Sequence, residues 1–336
     1  KRRPEKKKGS VPLKKKWIFL CVMLLLLTGC SAGTKKLRFG AAGLGGVYHI
    51  FADTFANVLS TENNDFQIDV KTTAGSAANL RLLSEGYIQL AVAQADLLHD
   101  AWNGDGNFAD RKTYQGYGAV AALYTEACQI VVREDSSIIS MDDLLGKTVS
   151  IGEEESGTEQ NAGKILAASG LTDHMLTEVN LNYTDAAEQL KDGRIDAFFC
   201  TAGVETTVIS ELAKQCGVRL LSLDEKTLNK LTRSYDFYSE YLIPAGTYEG
   251  QEEETRTLGV KAVLLASDRL SSAQVKEITK TLFDNKEKVQ YALPVDISLD
   301  ETAALEGITV PFHKGAAAYY EDCGVALEDG TEKGSK

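Results

Sequence analysis

Two short stretches, Thr73-Ala74-Gly75-Ser76 and Ser156-Gly157-Thr158, each follow an apolar run and precede an amphipathic pattern. Small, hydroxyl-bearing residues at a helix start offer free backbone N–H groups, a side-chain hydroxyl and the positive end of the helix dipole. Together these hold a carboxylate or a phosphate. The same residues also serve as plain N-caps; what points to a ligand is that each half of the chain has one, at matching places. In doubly wound sheets such turns lie at the carboxyl ends of strands, where ligands bind. Other chemistry has little to work with. The four histidines, His49, His99, His174 and His313, form no metal spacing, and no G-x-S-x-G elbow or Walker loop occurs. The turn Gly43-Leu44-Gly45-Gly46 would need glycine at 48 to be a dinucleotide fingerprint, and Tyr48 stands there. No C-x-x-C pair suggests zinc or redox work. Cys200, in an apolar strand, reads as a buried thiol, and Cys128, Cys216 and Cys323 show no disulfide framework. The pattern points to binding rather than catalysis, with no metal and no cofactor.

The elements that must position these stretches alternate strand and helix, which defines an α/β chain. Leu37 to Gly40 reads as a strand, followed by a helix with Val47, Ile50, Phe51, Phe55, Val58 and Leu59 on one face. Phe66 to Thr72 is a strand, Gly75-Ser76 opens a helix that Gly86 closes, and Ile88 to Ala93 is a strand ending at Gln94. A second pass begins near residue 148. Thr148 to Ile151 is its first strand, and Ser156-Gly157-Thr158 opens a helix to Ser169 with Gly170 as its stop. Val179 to Asn182 is a strand, and Asp185 with Glu188 has the spacing of a capping box. The segments around Gly86 and Gly193 echo each other, both reading as helix end, glycine stop and buried strand. Gly118 to Arg133 and Thr257 to Ala266 are long β-type runs suited to crossing between two lobes. Ser271 to Lys288 reads as one amphipathic helix.

The ends and the totals set the compartment. Residues 1–16 hold nine basic side chains against one acid, and an apolar run from Trp17 to Leu27 leads to Leu27-Thr28-Gly29-Cys30. This has the form of an export leader over 1–29, with Cys30 placed as the first mature residue and carrier of a lipid, and 30–36 as its tether. The run is too short to span a bilayer, which takes roughly 20 residues. The net charge is −12 over 336 residues, and beyond the basic leader the chain is more acidic still. That surface argues against nucleic acid and against electrostatic adhesion to anionic lipid. The length exceeds what one core organises, so two lobes are expected. Residues 326–336 read as a flexible tail.

Several stretches resemble the TAXI family of TRAP-transporter solute-binding proteins. They are G-A-A-G-L-G-G-V-Y, T-T-A-G-S-A-A-N-L-R-L-L-S-E-G, A-V-A-Q-A-D, S-I-G-E-E-E-S-G-T, D-G-R-I-D-A-F-F, I-P-A-G-T-Y and the closing V-P-F-H-K-G-A-A-A-Y-Y-E-D-C-G, colinear over roughly 37–325. The resemblance implies a two-lobed type II periplasmic-binding-protein fold: two doubly wound α/β domains joined by a hinge of crossing strands. It places 37–124 with 258–325 in one lobe and 125–257 in the other. It implies a monomeric lipoprotein, outside the cytoplasm, that hands a small carboxylate to a TRAP-type permease; a glutamate-like amino acid or a dicarboxylate leads. Carried over residue by residue, it implies that Gly45 and Gly46 admit the ligand to the backbone, with Tyr48 beside it. Ser76 and Asn79 then bind a carboxylate, with Gln94 and Tyr124 nearby. Ser156, Gly157 and Thr158 close from the second lobe, helped by Thr201 and Gly203.

Two features depart from that family's pattern. His49 stands where a second aromatic is common. Glu153-Glu154-Glu155 precedes the second helix start and would oppose an anion there, although it reads first as a solvated charge run; facing the cleft, it would favour a zwitterion. No arginine lies in a candidate binding loop, so no bidentate clamp is expected. Three other readings stay open: an ABC-type binding lipoprotein, an enzyme on the same fold using Cys128 or His49, and a sensor module. Gene neighbourhood separates the first from the TRAP reading, and one-to-one binding of an unmodified ligand excludes the second.

Overall fold

The computed structural model describes residues 36–327 except 45, 110–112, 173 and 298. The leader, the lipidation at Cys30, most of the tether, Gly45 and the tail from 328 therefore lie outside the described residues.

The first half builds from β1 (Leu37–Gly40), α1 (Val47–Glu62), β2 (Ile68–Lys71), α2 (Ser76–Glu85), β3 (Leu90–Gln94) and α3 (Ala95–Asn103). A 17-residue strand, β4 (Tyr117–Arg133), then crosses to the second half. There β5 (Thr148–Ser150), α4 (Gly157–Ala168), β6 (Thr177–Val179), α5 (Tyr183–Lys191) and β7 (Ala197–Ala202) repeat the plan. They are followed by α6 (Thr207–Cys216), β8 (Val218–Leu220), α7 (Glu225–Ser234) and β9 (Tyr238–Ile243). The 13-residue β10 (Thr255–Ser267) returns, and α8 (Ser272–Asp284), α9 (Lys286–Ala292) and α10 (Lys314–Asp322) finish the described chain.

The strands join in the order β2-β1-β3-β10-β4-β7-β5-β6, with β8 on β4 and β9 on β10. Within each half the neighbours are parallel and the sequence of strands is the same, 2-1-3 in the first and 6-5-7 in the second. The glycine echo is the sequence mark of this repeat. Gly86 at φ 77° and Gly193 at φ 69° adopt the left-handed conformation that ends a helix, which a side chain would resist. The long strands run antiparallel to their neighbours and change partners midway. β4 lies on β10 up to Ala127 and on β7 from Ala127 onward. β10 lies on β9 through Val260 and on β3 from Ala262.

Alternation along β4 sends Cys128, Ile130 and Val132 to one face and Ala127 and Val131 to the other. One apolar cluster covers a single face through both halves, from Leu80, Leu83 and Leu98 to Ile165, Leu228 and Phe237. The opposite face carries two clusters, one under α1 and α8 and one under α5 and α6. Among the described residues no helix is long and apolar enough to cross a membrane.

Some expected bounds shift. The strand after α1 is shorter than Phe66–Thr72, the third strand begins at Leu90 rather than Ile88, and the sixth covers Thr177–Val179 rather than Val179–Asn182. Asp185 does not cap α5: Asn182 does, its side chain accepting from the Asp185 N–H at 2.9 Å. Ser271–Lys288 is not one helix but breaks at Asn285, whose side-chain amide turns back to the Thr281 carbonyl. Cys128, Cys200, Cys216 and Cys323 are free thiols, the first two buried.

Candidate functional site

A cavity of about 470 Å³ opens where both halves present the carboxyl ends of their strands. From the first half it takes the turn before α1, the start of α2 and the end of β3; from the second, the start of α4, the start of α5 and the end of β7. Of the expected residues, Gly46, Tyr48, Ser76, Gln94, Ser156, Gly157, Thr158 and Thr201 line it.

Three do not, each for a physical reason. Asn79 is fully buried, and its amide donates to the carbonyls of Gly40, Ala41 and Val92 while its oxygen accepts from Thr73 Oγ1. It ties β1, β3 and the loop before α2 together and has nothing left for a ligand. Tyr124 is buried in the core under α1, outside the lining. Gly203 admits Val295 and Tyr124, the nearest atom lying 2.4 Å from where a Cβ would stand, so its smallness serves packing.

The two helix starts differ in what they leave free. At α2 the N–H groups of Ala77 and Ala78 donate to the Glu155 carbonyl at 3.1 and 3.3 Å. The second half therefore plugs the first half's helix start. Glu155 reaches it with φ at 61°, a left-handed conformation that costs about 1–2 kcal/mol for a residue with a Cβ. Its carboxylate also forms a two-bonded pair with Arg81, Nε to Oε1 at 3.3 Å and Nη2 to Oε2 at 2.9 Å. At α4, Ser156 caps Glu159 N–H at 3.1 Å, while among the described residues no acceptor meets the N–H groups of Gly157 and Thr158. An anion has its open helix start here.

Close approach sets the rest. A Cβ on Gly157 would lie 2.2 Å from Gln94 Oε1, so α4 packs on the end of the Gln94 side chain across the cavity and a larger residue here must push that amide aside. Ser76 Oγ accepts from the Gln94 N–H at 3.1 Å, which leaves the serine proton to donate. Tyr183 donates to the Thr201 carbonyl at 2.9 Å, so at the 2.6 Å contact Thr158 must donate to Tyr183. Thr158 Oγ1 also accepts from the Thr201 N–H at 3.3 Å. Its hydroxyl is held by the protein, and its backbone N–H is the freer group.

The charge run 153–155 is not simply solvated. Glu153 lines the cavity, and burial with the nearby Asp185 raises its carboxyl above the usual range. Sequence reasoning missed Glu126 and Tyr183. Glu126 sits on β4 beside the crossover, is 3% exposed, and accepts from Tyr48 Oη at 2.7 Å. Burial pushes its carboxyl up to about 8, against the pull of hydrogen bonds from Tyr48 and Gln94. The signal was present: Glu126 is the single charged residue in the apolar run from Gly118 to Val132.

Two βαβ halves sharing two crossing strands, with a cavity at their facing strand ends, form the two-domain α/β fold of periplasmic binding proteins. The chain belongs to the NMT1-like family, whose model matches residues 39–324. Among solved structures it is similar to a protein from Bordetella bronchiseptica RB50, with 16% identity over 77% of this chain and 76% of that one, TM-score 0.50. The alkanesulfonate-binding protein SsuA from Xanthomonas axonopodis pv. citri bound to MOPS matches at 17% identity over 77% and 80%, TM-score 0.47. An ancestral arginine-binding protein bound to arginine matches at 18% over 77% and 98%, TM-score 0.47.

Proposed function

We propose that this chain is an extracytoplasmic solute-binding lipoprotein that captures a small carboxylate between its halves and delivers it to a TRAP-type permease. The observation that carries the reading is the open start of α4, where Gly157 and Thr158 N–H groups and the Ser156 hydroxyl face a cavity bounded by the other half. The family match and the fold support solute capture; the TRAP partner rests on the colinear motifs from Gly40 to Gly324. Residues 37–124 with 258–325 act as one lobe and 125–257 as the other. They hinge where β4 and β10 change partners, and ligand favours the closed population. The Cys30 lipid anchors the protein, and Cys30→Ala should release it from the membrane fraction or leave it unprocessed. An unchanged, processed, membrane-bound form would contradict the anchor.

A hydrogen bond to a charged group contributes about 1.5–3 kcal/mol. Ser156→Ala and Ser76→Ala should therefore each weaken carboxylate binding about 10- to 100-fold in titration calorimetry against a panel of small mono- and dicarboxylates. If both variants bind like the parent, the carboxylate is held elsewhere.

A further inference from the structure

The charged side chains lining the cavity are all acidic. Among the described residues Glu126, Glu153 and Asp185 line it and no lysine, arginine or histidine does. One of its most buried polar atoms also calls for a donor. Gln94 is 3% exposed and its Oε1 has no hydrogen-bond partner. The Glu126 carboxylate, equally buried, meets Tyr48 Oη and the side chain of Gln94. A buried acceptor without a partner is uncommon in native proteins and marks a place where a ligand supplies the missing group. A second anionic group of a ligand would meet no cation on this wall, whereas a cationic group would have carboxylates to pair with once Glu126 ionises.

We propose that Glu126, with the Gln94 side chain between it and the start of α4, is the specificity-determining group that receives a cationic group of the ligand next to the carboxylate held at the α4 start, and that it gives up a proton as it does so. The proposal rests on the solute-capture reading and selects, from carboxylates, those that also carry an ammonium group. The balance is simple. The protonated Glu126 carboxyl loses H⁺ to solvent, and the resulting carboxylate pairs with the ligand's –NH3⁺; no covalent bond to the ligand forms or breaks.

Burial that raises the Glu126 carboxyl to about 8 keeps it protonated in the empty cavity at neutral pH. The titratable groups around it are Tyr48 from α1, Asp96 from α3, Tyr124 and Cys128 from β4, Tyr183 from α5 and Cys200 from β7. Burial raises the tyrosines and thiols as well, so they stay neutral, and Asp96 adds only negative field. Ligand binding is then linked to one proton, and affinity for an ammonium-bearing carboxylate should rise with pH until about 8 and level off above it.

The test is calorimetry of the full chain against the twenty L-amino acids and a matched panel of their des-amino carboxylates. Titrations of binders at pH 7 in phosphate and in imidazole buffers count protons. Support is binding in the amino-acid arm, with close to one proton released per ligand, and loss of that release in Glu126→Gln together with at least a tenfold weaker fit. Tyr48→Phe, which removes a hydrogen bond that lowers the Glu126 value, should shift the half-point of proton release to higher pH. Selective binding in the des-amino arm, or amino-acid binding with no proton released, overturns the Glu126 assignment and leaves carboxylate capture standing. Absence of binding in both arms overturns both.

Discussion

Glu126 shows how one residue's burial becomes a pH-dependent property of the whole chain. Its carboxyl is raised from 4.5 to about 8 in the folded state, with burial as the largest cause. Between those values the folded protein keeps a proton that the unfolded chain has lost. The associated stability is therefore full below about 4.5 and lost as pH rises through 8. Glutamine mimics the protonated form, so Glu126→Gln should match the parent in thermal unfolding at pH 4 and exceed it at pH 8, by on the order of a few kcal/mol. A variant less stable than the parent at pH 8 would mean that the ionised carboxylate is already neutralised in the empty cavity. At the same scale, Asn79 and Ser76 separate what sequence shows from what it hides. Both belong to one motif, yet the Asn79 amide is spent on the carbonyls of Gly40, Ala41 and Val92. Nothing in the spacing of residues 73–79 reveals partners that only the tertiary fold brings near.

Between elements, a buried network joins α3 to α4 and β9. Asp96 Oδ2 accepts from Asn161 Nδ2 and from Tyr238 Oη, both at 2.7 Å, and Asp100 Oδ2 accepts from Lys164 Nζ at 3.0 Å and Gln160 Nε2 at 2.8 Å. The Lys164 ammonium also lies over the rings of Tyr235, Phe237 and Tyr238. Removing one partner strands the others in a poorly solvated site. Lys164→Met should therefore lower unfolding stability by about 3 kcal/mol in denaturant titration; a midpoint shift near zero would show that water replaces the ammonium freely. Helix boundaries followed the same division. Glycine stops at 86 and 193 were legible because a left-handed terminus selects its residue, whereas the break at Asn285 was not. The apolar pattern runs on past it, and only the bond back to Thr281 marks the change.

Across the whole molecule, the repeat of βαβ units and the two crossing strands were readable, since alternation and helix periodicity follow directly from which face is buried. The cavity's acidity was legible only in part: the run 153–155 was visible, but which of its members turns inward depends on the Glu155 backbone and its pairing with Arg81. These same contacts bring the halves together around α4, and Gly157 is the position where α4 meets the Gln94 side-chain amide. Gly157→Ala must displace the buried Gln94 amide, so thermal unfolding of the variant first establishes that it is folded. Calorimetric titration of parent and Gly157→Ala with small carboxylates then tests carboxylate capture at the α4 start most directly. The parent should bind an unmodified ligand one to one, and the folded variant should bind it about tenfold more weakly or worse. Equal binding by both proteins, or a parent that binds no carboxylate at all, would contradict it.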